Sequence, residues 1–500
     1  MVTIAYLAWP IITVILAIRL SFPKAILVSL IGGFLLLPVS EGINLPVLPT
    51  FDKDTIPALS LFVLAMLFHR QLTHVGGDVI PNRPGWLPRS IFALTGLAMV
   101  CLGAVLTALT NGDPVVYGST SIPGLRPYDG ASLALTSLTL MLPLFLGRKF
   151  FADSEGQALL LKALVIAGLG YSLLALYEIR MSPQLHRMVY GFFQFQFLQQ
   201  IRGGGFRPVV FTQHGLQLAI FFVTVALAAF GAWRIADRER RRFYLLGGCW
   251  LLLTLALSNS FGALAIAMIF LPFIIFLGVR GQLLAASVVA GAILVFPFLR
   301  GVDVIPTQTL VSWAGSIDPG RAASLQYRFD NEDILLEHAN EKPLFGWGGW
   351  RRNRVFEEDG VDISTTDGAW IVLIGQRGWV GYLGQIGLLI LPIILLALKR
   401  RSYRLEPVTA VLALILAAAV VDLIPNGFLS PLTLLIAGTL WGRLERKAAV
   451  SEASPELKLA DEPSTAKPRP GAAVLELGDG RRATVYTRQD PNKRHDRKAP

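Results

Sequence analysis

Apolar runs long enough to cross a bilayer recur along almost the whole chain, with short polar stretches between them. They fall near 2–18, 25–40, 56–69, 91–109, 132–147, 162–178, 214–233, 244–258, 261–278, 282–299, 370–398, 407–422 and 428–442. About twenty apolar residues in a helix span a hydrocarbon core, so the pattern predicts an all-α, polytopic transmembrane protein of about thirteen helices. The run at 370–398 is too long for one simple crossing, and its first third, Gly375–Tyr382, is expected to lie at the interface or above the bilayer. Two segments interrupt the rhythm, 179–213 and 300–369. In the second, a surface helix is predicted over Asp330–Glu341, with Ile334, Leu335 and His338 on one side and the carboxylates mostly solvated, followed by a turn over Pro343–Trp350. The pattern stops after Trp441. This divides the chain into a membrane domain over 1–442 and a disordered tail over 443–500, within which Val474–Tyr486 alternates around Gly478 and Gly480 as a hairpin would.

Composition agrees: 53% of residues are hydrophobic and 16% charged. The formal net charge of +11 is not read as a nucleic-acid footprint, because basic residues collect in the cytoplasmic loops of polytopic proteins. Arg19/Lys24, Arg70/Arg83/Arg89, Arg148/Lys149, Arg234–Arg242, Arg280 and Lys399–Arg401 occupy every second loop, which puts the N-terminus outside and the C-terminus inside. Val2–Ile18 lacks a basic leader and a small-residue cleavage site, and is read as a retained helix. Cys101 and Cys249 both fall inside apolar runs and suggest no disulfide framework.

The two long outside loops both carry arginine. Arg202 and Arg207 flank three glycines, which let backbone amides approach a ligand while the guanidinium groups grip an anion; the alternative is a flexible loop meeting lipid headgroups. His214 stands at the mouth of the next span, either as a site group or as part of a buried polar network. The alternating Phe192–Phe197 stretch suits either a sugar or an interfacial aromatic belt. Ser258–Ser260 reads as a polar turn between two helices. In the large loop, Arg321, Arg328, Arg351, Arg352 and Arg354 offer further cations for a diphosphate, or an exposed basic face. Asp367 precedes the next span as either a helix N-cap or a general base. No metal-ligand spacing, phosphate-cradling glycine loop or nucleophile elbow occurs, and charges inside the spans are scarce, which disfavours ion-driven transport.

These features together resemble the O-antigen ligase and polysaccharide polymerase family of bacterial glycan-assembly enzymes. The resemblance covers about residues 200–395: the Arg-bearing segment Arg202–Gly215, the junction Ser258–Ala263, and a large loop with Arg328 followed by Pro343-Leu-Phe-Gly-Trp-Gly348, then Thr366–Trp370 and Gly378–Gly381. Phe261 stands where the family commonly has Arg, and Asp367-Gly368 stands where it usually has His-Asn. The resemblance implies a multi-pass inner-membrane enzyme with a periplasmic N-terminus and a cytoplasmic C-terminus. Such an enzyme transfers a glycan from an undecaprenyl-diphosphate carrier to an acceptor hydroxyl on the periplasmic face, without cofactor or metal. The implied partners are that lipid-linked glycan, membrane lipid and other polysaccharide-assembly proteins. Arg202, Arg207, Arg321, Arg328, Arg351 and Arg352 would bind substrate, and the base role would fall to Asp367 or His214. A lipid-linked glycan flippase and a non-catalytic component of an export complex are the alternatives.

Overall fold

The computed structural model describes residues 1–39, 42–44, 48–68, 85–194, 196–202, 204–400, 405–452, 472–476 and 482–486. Of the positions singled out above, Arg70, Arg83, Phe195, Gly203, Arg401 and most of the tail lie outside them. The protein is all-α and polytopic. Helices Val2–Arg19, Ile91–Leu109, Ser154–Met181, Gly215–Ile235, Val279–Gly301 and Ala369–Leu398, with the broken pair Pro127–Leu140 and Leu142–Phe150, are long and apolar enough to cross a membrane. Phe22–Leu36, Ile56–Leu67, Phe261–Phe276 and Pro407–Asp422 are shorter apolar helices. Arg238–Leu257 and Pro431–Glu452 complete the set of expected spans. The break at Met141 has a local cause: Pro143 has no N–H to donate back to Thr139.

Gly215–Ile235 is the central helix. Its apolar window is 89% buried, against 17% for the peripheral Val2–Arg19. It packs on Ser154–Met181, Arg238–Leu257, Phe261–Phe276 and Pro407–Asp422. Small residues set the spacing, because lipid offers no hydrophobic drive for helices to associate and close van der Waals contact must hold them. A Cβ at Gly231 would sit 2.3 Å from Val411 Cγ1.

The helices end on two faces. One carries the basic clusters, and there the buried Arg148 pairs with Glu445 and donates to the carbonyls of Gly85 and Leu87. The other carries the two long polar loops.

The large loop begins with Thr307–Ile317 and Pro319–Asn340. The second helix starts before the predicted Asp330, because Asp318 caps it by accepting from Gly320 N and Pro319 occupies its first turn. Its carboxylates are not all solvated: the Glu332 side chain is only 12% exposed. Leu335 and His338 are buried as expected, while Ile334 faces out.

The long run at the end of the loop, which its length marked as more than one simple crossing, is broken within its first third. Ala369–Leu398 contains Gly378 at φ 62°, ψ −168°, which interrupts the hydrogen-bond ladder. The turn after the loop helix mends the gap from outside. Trp379 N donates to Pro343 O at 2.7 Å and Val380 N to Leu344 O at 3.2 Å, while Trp347 N and Gly348 N donate to the carbonyls of Gly375 and Gln376. The freed donors and acceptors of the helix are thus paired by one short loop, as buried backbone groups require. Gly378 is needed twice over, since its φ is left-handed and a Cβ would meet the Leu344 carbonyl at 2.3 Å.

In the tail, Ala472–Glu476 pairs antiparallel with Arg482–Tyr486, with Ala472 opposite Tyr486, at the place where the alternation suggested a hairpin.

Candidate functional site

Glu178, at the end of Ser154–Met181, organises the first loop. Its side chain is buried and accepts four backbone N–H groups: Gln184 and Leu185 on Oε1, Val209 and Val210 on Oε2. Tyr171 Oη accepts from Phe211 N, and the buried Lys53 donates to Phe211 O at 2.6 Å. Burial pulls the Lys53 ammonium down to about 8, against the raising influence of Asp54 and Asp52. The segment that carries Arg207 is therefore held by buried polar groups on both sides, and is no flexible loop.

Arg207 lies along Gly215, where a Cβ would stand 2.4 Å from its Cδ. Its Nη2 donates to Asn259 O at 3.1 Å. Asn259 forms the turn between Arg238–Leu257 and Phe261–Phe276 with φ 52°, a left-handed conformation that Asn tolerates better than most residues. Two residues on, the Phe261 ring receives the Arg321 guanidinium at 4.3 Å. One short turn thus carries an arginine from each of the two long loops.

Arg328 follows Arg321 by two helical turns, about 10 Å along the same helix. Its Nη1 donates to Pro425 O at 2.9 Å, and its Nε is 3.6 Å from Asp367 Oδ2. The two side chains are 31% and 44% exposed, so the pair is open to solvent. Asp367 is not an N-cap: that position belongs to Gly368, which caps without a side-chain bond. Gly368 threads past the 423–430 loop so closely that a Cβ would be 2.2 Å from Ile424 O. The same loop presents Phe428, which stacks on His214 with ring centroids 5.7 Å apart. His214 Nδ1 accepts from Leu216 N at 3.1 Å and caps the central helix. In the neutral ring this assigns the proton to Nε2, so His214 faces its surroundings as a donor. Phe428 also lines a small cavity of about 20 Å³ with Phe34, Gln217, Phe221 and Thr433.

One turn beyond Arg328, Glu332 lies beside Arg300 and Trp370. Arg300 is buried and is shared among Asp303, Glu332 and Asp333. Burial pushes the Glu332 carboxyl up to about 7, against the lowering influence of Arg300, the Trp370 indole and Arg328.

The remaining predicted cations are placed elsewhere. Arg352 is buried, with Nε donating to Trp347 O and Nη1 to Pro123 O. Burial lowers the pKa of its guanidinium from the usual arginine range. Arg351 lies over Phe356 and 3.7 Å from Asp362, which Arg354 also binds at 2.9 Å. These three belong with the small hairpin Val115–Tyr117/Thr120–Ile122, whose Tyr117 stacks on Phe356. Arg202 sits in the short strand Ile201–Arg202, and its side chain lies outside what the structure describes. The sequence reading missed Glu332, Arg300, Trp370 and Phe428. For Glu332 a signal existed, its four-residue spacing from Arg328 on a helix.

Comparison of the chain with family models gives no match, and comparison with curated proteins gives none.

Proposed function

We propose that this multi-pass membrane protein is a glycan polymerase or ligase of the O-antigen ligase type, acting at the outer face of a bacterial inner membrane. It would move an oligosaccharide from an undecaprenyl-diphosphate carrier to an acceptor hydroxyl. The observation that carries the reading is the meeting of Arg207 and Arg321 at the Asn259–Phe261 turn, with Arg328 along the same helix. A leaving diphosphate gains negative charge as the glycosidic bond breaks, and fixed guanidinium groups stabilise that charge without rearranging. Asp367 orients Arg328. A flippase would instead call for arginines along a path through the bundle, whereas Arg207, Arg321 and Arg328 all stand at helix ends or in a loop helix on one face.

The test is Arg207→Ala in the producing cells. Long-chain glycan should fall by about 100-fold or more, a loss typical of removing one charge-stabilising donor, while the protein still inserts and lipid-linked single repeats accumulate outside. Normal polymer would remove the site assignment, and repeats held on the cytoplasmic side would favour the flippase.

A further inference from the structure

Three buried polar atoms converge beside the arginines from three different helices. Arg300 Nε comes from Val279–Gly301, Glu332 Oε2 from Pro319–Asn340 and Trp370 Nε1 from Ala369–Leu398. None of the three is hydrogen-bonded to another protein group. Arg300 Nε and Glu332 Oε2 stand 3.7 Å apart, within ion-pair range but beyond hydrogen-bond length. The indole N–H faces the carboxylate closely enough to favour its charge, yet short of bonding geometry. Arg300 and Trp370 are 3% and 2% exposed, so these are not groups that solvent satisfies freely. Leaving such atoms without partners costs free energy, and a single hydroxyl, with two lone pairs and one proton, has the valence to accept from both N–H groups and donate to the carboxylate.

We infer that Arg300, Trp370 and Glu332 form a hydroxyl-binding subsite in which Glu332 is the general base for the acceptor. This rests on the transferase reading above and names its acceptor class, a sugar hydroxyl. The two N–H donors hold the hydroxyl oxygen. Its proton passes to Glu332 Oε2 as the oxygen bonds to the anomeric carbon. The bond from that carbon to the diphosphate breaks, and the diphosphate leaves with the electron pair and one more negative charge, beside Arg328 one turn away. Glu332 then returns the proton to water. Asp367 is the counter-charge of Arg328. The charged groups that face Glu332 are Arg300 from its packing neighbour, and Arg328 and Asp333 from its own helix. A carboxyl held near 7 is half ionised at neutral pH and well matched to accepting a proton there. Because the ionised form is the active one, the rate should rise as pH passes upward through about 7.

The experiment compares full-length wild type with Glu332→Gln, Glu332→Asp and Asp367→Asn. Each is assayed for binding of undecaprenyl diphosphate in lipid nanodiscs, and for conversion of lipid-linked repeats to longer glycan in membrane vesicles from producing cells between pH 5.5 and 8.5. Glu332→Gln should bind the diphosphate lipid within about twofold of wild type, turn over at least about 100-fold more slowly, and lose the rise through neutral pH. Glu332→Asp should recover part of the rate with the rise retained, and Asp367→Asn should keep the rise while weakening diphosphate binding. Wild-type turnover by Glu332→Gln, or loss of the pH rise in Asp367→Asn instead, would overturn the assignment and leave the transferase reading intact. A wild type that binds the lipid but converts no repeats would overturn both. If Glu332→Gln fails to fold, Trp370→Phe takes its place: a raised acceptor KM supports the subsite, and an unchanged KM removes it.

Discussion

Two glutamates on the same face show how placement decides role. Glu178 accepts four backbone N–H groups and serves as a structural hub, whereas Glu332 keeps an oxygen bonded to no protein group and lies among cations. Glu178→Gln preserves volume but turns an NH2 toward two of those N–H donors. It is expected to destabilise the protein by about 2–4 kcal/mol, the cost of leaving buried donors unsatisfied. The check is a lower melting temperature in detergent, with transfer falling because Arg207 loses its anchored segment. Neither role was legible in the sequence. Glu178 reads as a span-end acid and Glu332 as one of several carboxylates on a surface helix, and only packing from distant helices tells them apart. The arginines fared better. Arg207, Arg321 and Arg328 were marked by their positions in long loops. Arg351 and Arg352 carried the same mark, yet one lies over Phe356 and the other is enclosed by the carbonyls of Trp347 and Pro123. Charge type and spacing do not reveal which guanidinium groups the fold gathers around one turn and which it places elsewhere.

Among the elements, apolar length located the spans well, since burial in lipid demands a continuous run and little else. The excess length of 370–398 also marked it as more than one simple crossing. What repairs the break was invisible, because the Pro343–Gly348 turn pairs with Gly375–Val380 across some thirty intervening residues of loop. Gly378→Ala should test that repair. The substituent would force a left-handed φ and meet the Leu344 carbonyl. A loss of about 3 kcal/mol or more is expected, given the cost of the strained backbone and the overpacked contact. Limited proteolysis should then cut within the large loop, and a cleavage pattern unchanged from wild type would show the contact to be yielding.

For the whole molecule, the two faces differ in chemistry. Many large apolar side chains on the helix flanks are exposed, among them Leu246, Leu253, Met268, Ile269 and Phe276, as suits contact with lipid chains. Charge alternation predicts that the face with Arg238–Arg242 is cytoplasmic and the face with the large loop is external. With Cys101 and Cys249 replaced, a cysteine at the exposed Glu358 should react with a membrane-impermeant maleimide in intact cells, and one at the exposed Arg238 only after permeabilisation. The reverse pattern would invert the topology and place the candidate site on the cytoplasmic side.

The mended helix also constrains how the chain can vary in length. Surface loops ordinarily tolerate insertions. Between Pro343 and Gly348, one added residue would slide the carbonyls of Pro343 and Leu344 out of step with Trp379 and Val380 while the amides of Trp347 and Gly348 stayed matched to Gly375 and Gln376. Loop and helix are two halves of one register and must change together.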